Sequence, residues 1–237
     1  MVEVDLERSC ASAIGFWAAL AAAGLTLVFA ALALAFFYAP EWTNIQDYAA
    51  KFHVSQMASF VPALLLVPVM IVLMACFCAY ASGGGRTLAL AALAFTCIYG
   101  AIIATNYYLQ LFVVRLNLQA GQLDGLSILA MPNLRSVFFA METIGYLFLS
   151  LATLVLAPVL SGSRLADWLR RLFITNGLIG IYGGVIALFD RPLWVFAGLA
   201  VWTVAFPVAM VLSALLFKQW GIKDLERGKQ SAGARTR

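Results

Sequence analysis

Apolar runs long enough to cross a bilayer recur along this chain, at about 12–39, 57–80, 88–114, 136–160, 170–189 and 193–217, with short polar segments between them. A helix needs about 20 apolar residues to traverse the hydrocarbon. Nothing constrains the fold more. The 237 residues are 64% hydrophobic and 11% charged, against roughly 45–50% apolar and about 25% charged in soluble domains. A soluble core could not hide that excess. The expected fold is all-α: a polytopic transmembrane helix bundle of about six spans with short loops, residues 1–217, followed by a basic tail, 218–237.

The first run is expected to be a retained span. It follows MVEVDLER, where Glu3, Asp5 and Glu7 stand against Arg8. A secretory signal starts with positive charge and has an apolar core of only about 7–15 residues. Trp17 and Tyr38 are candidate anchors at headgroup level. Asn44 can cap a short surface helix in the segment after this span. Pro62 and Pro68 in the second run and Pro207 in the sixth each remove a backbone donor and can bend a helix. SGGGRT at 82–87 lacks the Gly-Lys-Ser/Thr ending of a phosphate loop and reads as a tight turn.

The segment 115–134 reads as the longest loop. Ser161-Gly162-Ser163 is a flexible turn, with Arg164, Asp167, Trp168, Arg170 and Arg171 as an interfacial collar behind it. Gly180 and Gly184 form a small-xxx-small pair that allows close helix approach. Asp190 can cap the sixth span, with Pro192 in its first turn. The final GKQSAGARTR has the composition of a disordered tail.

Several chemistries find no support. His53 is the only histidine, so a bis-histidine haem within one chain and a His-rich metal site are ruled out. Cys76-x-Cys78 is not the redox C-x-x-C spacing, and these residues, with Cys97, read as small apolar side chains inside spans. Cys10, at a membrane edge, is not expected to be acylated. No cofactor is expected. The net charge of +4 is spread over loops and a tail rather than a folded basic domain, which argues against nucleic acid.

One run differs from the others. The stretch 132–160, PNLRSVFFAMETIGYLFLSLATLVLAPVL, is the only one of these spans with an acidic residue inside it, Glu142. A charge at the bilayer centre costs about 2.5–3.5 kcal/mol on insertion scales, and an intramembrane ionisable residue is by default a functional hypothesis. Counted as a helix, Arg135, Tyr146, Ser150 and Thr153 fall on the Glu142 side. A second polar stripe on the third span holds Thr96, Tyr99, Asn106 and Gln110. Lipid satisfies neither stripe, so both should face other helices or a wet cavity.

With six spans the termini share one side. The opposite side carries only Lys51, Arg115, Arg135 and Arg191 of the chain's Lys and Arg, so the positive-inside rule places both termini in the cytoplasm of a cell (inner or plasma) membrane. Six of the cationic residues lie from Lys218 onward and decide this orientation. Such a segment can also contact anionic lipid. Asn106, Gln110 and Glu142 then sit at similar depth in the outer leaflet. The expected site is a polar pocket open to the outside, lined by Tyr99, Asn106, Gln110, Glu142 and Tyr146, with Arg135 at its rim.

Three readings follow. The first is a protein that binds or transports a small or amphiphilic ligand, with Glu142 as cation partner or proton site. The second is a structural or accessory subunit whose stripes serve packing. The third is an intramembrane enzyme using Glu142 as acid/base. Catalysis wants a second titratable group nearby, and on the Glu142 helix only Tyr146 and Arg135 offer one. The stretches NYYLQLFVVRLNLQ and SVFFAMETIGYLFLSLATLVLAP resemble small multi-span bacterial membrane proteins. That resemblance implies a multi-span fold and transfers no activity.

Overall fold

The structure, a computed structural model, describes residues 2–36, 42–189 and 192–235. Helix dominates, and no strand is present among the described residues. Among the described residues eight α-helices follow one another: α1 (Val2–Phe36), α2 (Ile45–Ala50), α3 (Phe60–Tyr80), α4 (Gly84–Leu109), α5 (Arg115–Ala120), α6 (Val137–Leu156), α7 (Arg164–Ala187) and α8 (Pro192–Arg235). The long ones pack in chain order, α1 on α3, α3 on α4, α4 on α6, α6 on α7 and α7 on α8, and α8 closes the ring against α1. Arg8 on α1 and Asp224 on α8 both meet the Tyr80 hydroxyl. The chain's two ends therefore lie together, at what is here called the terminal end of the bundle. The start of α6 lies at the opposite, distal end.

These helices are apolar on both faces. On α3, Leu66, Met70, Leu73 and Phe77 are buried, while Val61, Leu65 and Val72 are exposed. On α8, Trp202, Phe206, Met210 and Phe217 are buried, while Val201, Val204, Val208, Val211 and Leu215 are exposed. A helix hydrophobic all round belongs in a large core or a membrane, and this bundle has no further layer to cover its outer face. Among the described residues five helical segments have the length and apolarity to cross a membrane: Arg8–Phe36, Val54–Tyr80, Gly84–Ala120, Val137–Val159 and Ala200–Glu226. The expected fifth span, α7, falls short. Its first two turns hold Arg164, Asp167, Arg170 and Arg171, and Asn176 and several glycines follow. It nonetheless packs between α6 and α8.

The helix ends refine the expected boundaries. Asn44 caps α2, its side chain accepting the Asp47 amide hydrogen at 2.8 Å. Ser163 caps α7 in the same way through Ala166. Helix continues beyond residue 114, through a π-helical turn (Gln110–Val114) into α5. Most of the first third of the expected long loop is thus helical. Two side chains cap carbonyls around the wider turn, Arg115 Nε donating to Leu111 O and Asn117 Nδ2 to Val113 O, each at 2.8 Å. Gly121 ends α5 at φ 70°, a left-handed conformation suited to glycine. The described part of the tail expected to be disordered is helical, because α8 runs on to Arg235. Tyr38 and the proposed Asp190 cap fall outside the described residues. The collar holds internal contacts: Arg170 pairs with Asp167 at 3.2 Å, and the Arg171 guanidinium lies 5.2 Å from the Trp168 ring centre.

Small residues set the closest helix approaches. A Cβ on Gly177 would stand 2.6 Å from the Leu154 Cβ and 3.0 Å from the Ser150 carbonyl oxygen, and one on Gly180 would collide with the Ser150 side chain. Gly184 is looser, with Leu147 no nearer than 3.4 Å. The tight seam against α6 is thus Gly177–Gly180, and the expected Gly180–Gly184 pair touches α6 with unequal closeness. A Cβ on Gly183 would meet nothing within 4 Å. Gly177→Ala and Gly180→Ala should each lower stability by about 1–3 kcal/mol, the usual cost of overpacking. Gly183→Ala should be neutral or mildly stabilising, since Ala is the better helix former by up to about 1 kcal/mol. Thermal unfolding of the three variants in detergent checks this.

Candidate functional site

The distal ends of α3, α4 and α6 meet around Glu142. The capping of α6 sets its register: the Ser136 Oγ accepts the Phe139 amide hydrogen at 3.2 Å, which starts the helix at Val137. Glu142 is therefore the sixth residue of α6. At 1.5 Å per residue it lies about 7–8 Å into the helix. It shares the inner side with Phe138 and Gly145, both buried, within about 60° of each around the helix. Glu142 itself is only half-buried, as is Tyr146 one turn deeper.

Two residues of α4 hold the carboxylate. Tyr107 donates its hydroxyl hydrogen to Oε1 at 2.7 Å. Asn106 Nδ2 donates to Oε2 at 3.1 Å and also to the Phe138 carbonyl at 3.1 Å. Both donors are neutral, and both residues are buried. The Tyr107 and Tyr146 hydroxyls lie 3.3 Å apart. Aromatic rings enclose the group. Phe60 of α3 stacks on Tyr107 at 5.3 Å, Tyr99 meets Tyr146 edge-on at 5.8 Å, and Trp202 of α8 meets Tyr146 edge-on at 5.1 Å. Tyr99 is fully buried, and its hydroxyl finds no hydrogen-bond partner among the described residues.

The expected site residues thus divide. Glu142, Asn106, Tyr146 and Tyr99 come together. Gln110 lies in the π-helical turn instead, where Nε2 donates to the Leu129 carbonyl at 2.8 Å and pins the distal loop; its Oε1 is buried and unpartnered among the described residues. Arg135 is not on the helix. It sits exposed in the turn before Ser136, its amide bonded to the Asn133 side chain. Ser150 and Thr153, counted on the Glu142 stripe, serve α7: Asn176 Nδ2 donates to Thr153 Oγ1 at 3.0 Å.

Tyr107 and Trp202 are absent from the expected lining. Periodicity contained a signal for Tyr107, which stands eleven residues after Thr96, three turns on and about 20° off the same line. Trp202 carried no local signal, because its approach depends on how α8 closes the ring. Among the described residues no group of three or more His, Cys, Asp or Glu side chains is placed to hold a metal ion.

Comparison with protein-family models, with curated proteins and with solved structures found no match. The site is therefore read from its own chemistry. It combines one carboxylate, three phenols and one amide in a largely apolar setting. Such a group can accept a positive charge, and it can also fasten α4 to α6. The two roles differ energetically. Asn106→Ala strips Glu142 of one donor and should cost about 1–3 kcal/mol. In a double-mutant cycle Tyr107→Phe and Glu142→Gln should be non-additive by about 0.5–3 kcal/mol, as expected for residues in direct contact. Additive effects in thermal unfolding would mean the 2.7 Å bond does not form in the protein.

Proposed function

We propose that this membrane protein is a multi-pass protein of a bacterial cell membrane, with both termini in the cytoplasm, whose site around Glu142 binds or transports a small or amphiphilic ligand carrying positive charge. One observation carries the reading: among the described residues, a half-buried carboxylate on the inner side of an apolar helix takes its hydrogen bonds from neutral donors alone. Neutral donors satisfy its lone pairs and leave its charge in place, and an unpaired charge in apolar surroundings is costly. A cation or a proton removes that cost. The aromatic rings around it suit an organic cation, which is attracted to ring faces. The basic part of α8 fits a further contact with anionic headgroups, worth about 1 kcal/mol per residue at the surface.

A second reading has its own support. The bonds from Asn106 and Tyr107 cross from α4 to α6, as they would in an accessory subunit that needs only rigid packing. Thermal stability of wild type and Glu142→Gln, screened against lipids, amphiphiles and monovalent cations, separates the two. A ligand of the folded state raises apparent stability by mass action, about 2.7 kcal/mol at a hundredfold excess over Kd. The binding reading expects at least one cationic compound to stabilise the wild type and to lose its effect in the variant. Equal stability of both proteins with every compound would leave the packing reading standing.

A further inference from the structure

The direction of the hydrogen bonds at Glu142 depends on its protonation. Ionised, it can only accept, so Tyr107 donates its one hydroxyl hydrogen to Oε1. The 3.3 Å contact between Tyr107 and Tyr146, in which either oxygen can be the donor, then takes its hydrogen from Tyr146. For ionised Glu142 the chain runs from Tyr146 to Tyr107 to the carboxylate. A carboxyl group protonated on Oε1 is a donor there. It would confront the Tyr107 hydrogen head-on unless Tyr107 turned that hydrogen toward Tyr146. Tyr146 would in turn have to point its own hydrogen elsewhere. The buried hydroxyl of Tyr99 does not serve it: the Tyr99 ring meets Tyr146 edge-on, but its hydroxyl makes no hydrogen bond among the described residues.

We infer that Glu142 is an exchangeable proton site, and that Tyr107 and Tyr146 form a switch whose hydrogen-bond direction follows its protonation. The inference rests on the reading of Glu142 as a binding site and names the ion that competes there. A hydronium ion from the distal surface gives up one proton and becomes water. The new O–H bond forms at Oε1, and the negative charge of the carboxylate is cancelled. No covalent bond of either tyrosine breaks, since each hydroxyl only rotates about its C–O bond. A cationic ligand then displaces that proton, one released for each unit charge bound.

The titratable neighbours of the carboxylate are Tyr107 from α4 and Tyr146 from its own helix, with the Tyr99 ring of α4 against Tyr146. α3 and the described part of α8 bring Phe60 and Trp202 to the cluster, neither of which titrates. On α7, Tyr182 is exposed, and the acidic and basic side chains lie in the first two turns, at the other end.

Infrared difference spectra of the purified full-length protein, recorded as pH is lowered, test this directly. The expected result is a carboxyl C=O band in the wild type that is lost in Glu142→Gln, accompanied by a change in a tyrosine C–O band. In Tyr107→Phe, which keeps the ring on Phe60, the carboxyl band should persist at a shifted frequency while the tyrosine change disappears. Tyr146→Phe should reduce the tyrosine change to that of Tyr107 alone and keep the carboxyl band, with the amide bands of every variant confirming an intact fold. A spectrum with no titrating carboxyl band that depends on Glu142 overturns the inference. So does a Glu142 band that comes and goes with no tyrosine response. Neither result touches the ligand reading, which the thermal screen decides separately.

Discussion

Hydrocarbon offers polar groups no water, and each part of this bundle answers that shortage in one of two ways. Most polar side chains fold back onto their own helix. Thr26 donates to the Ala22 carbonyl, Thr96 to Ala92, Thr105 to Ala101 and Ser213 to Ala209, each one turn earlier. Such bonds satisfy the hydroxyl and tie nothing together. The second answer is to reach a neighbouring helix. Asn106 and Tyr107 bind Glu142 across α4 and α6, and Asn176 binds Thr153 across α7 and α6. Helix α6 takes part in both ties, one near each of its ends, so it is the member whose position the polar chemistry determines.

The glycines complete this arrangement by a different means. Packing between helices in lipid is driven by close contact and hydrogen bonding rather than by expulsion of water. Gly177 and Gly180 let α7 approach until its backbone nears Ser150, which is what puts Asn176 within reach of Thr153. On the other side of α6, Gly145 lies against Ile103 of α4 with no room for a Cβ. The Glu142 bonds to Asn106 and Tyr107 therefore form across an interface already brought close by a missing side chain. At the terminal end aromatic packing takes over. Tyr80 stacks on Trp220 at 4.4 Å, and its hydroxyl is shared between the Arg8 carbonyl and the Asp224 carboxylate, joining α1, α3 and α8.

Much of the architecture was legible in the amino-acid order, because apolar runs of bilayer length leave a chain few choices. Membrane helices and short turns follow from composition, and the Asn44 cap followed from local chemistry. Helix ends were less legible where polar residues continue a helix beyond the lipid. Residues 115–120 look like loop and the chain from Lys218 looks like tail, yet hydrogen bonding within each segment is enough to prolong a helix already nucleated. At the site, Glu142 stood out by charge alone. Asn106 and Tyr146 stood out as members of polar stripes, whereas Tyr107 reads as one more aromatic residue in an apolar run, and Trp202 reaches the group only through ring closure. Arg135 was counted with the Glu142 stripe as though helical, although the expected span itself starts at about 136. Once Ser136 turns its hydroxyl to the first amides, Arg135 must lie outside.

Helix α8 spans 44 residues, about 66 Å at 1.5 Å per residue and so roughly twice the hydrocarbon thickness. One piece of secondary structure thus bears Trp202 against Tyr146 at the distal cluster and Trp220 and Asp224 against Tyr80 at the other end. Between them stands Pro207, inside the helix, where one backbone bond is missing. The distal aromatic cluster and the terminal one are therefore fastened to a single continuous helix, so the spacing between Trp202 and Trp220 is fixed by helical rise rather than by a loop.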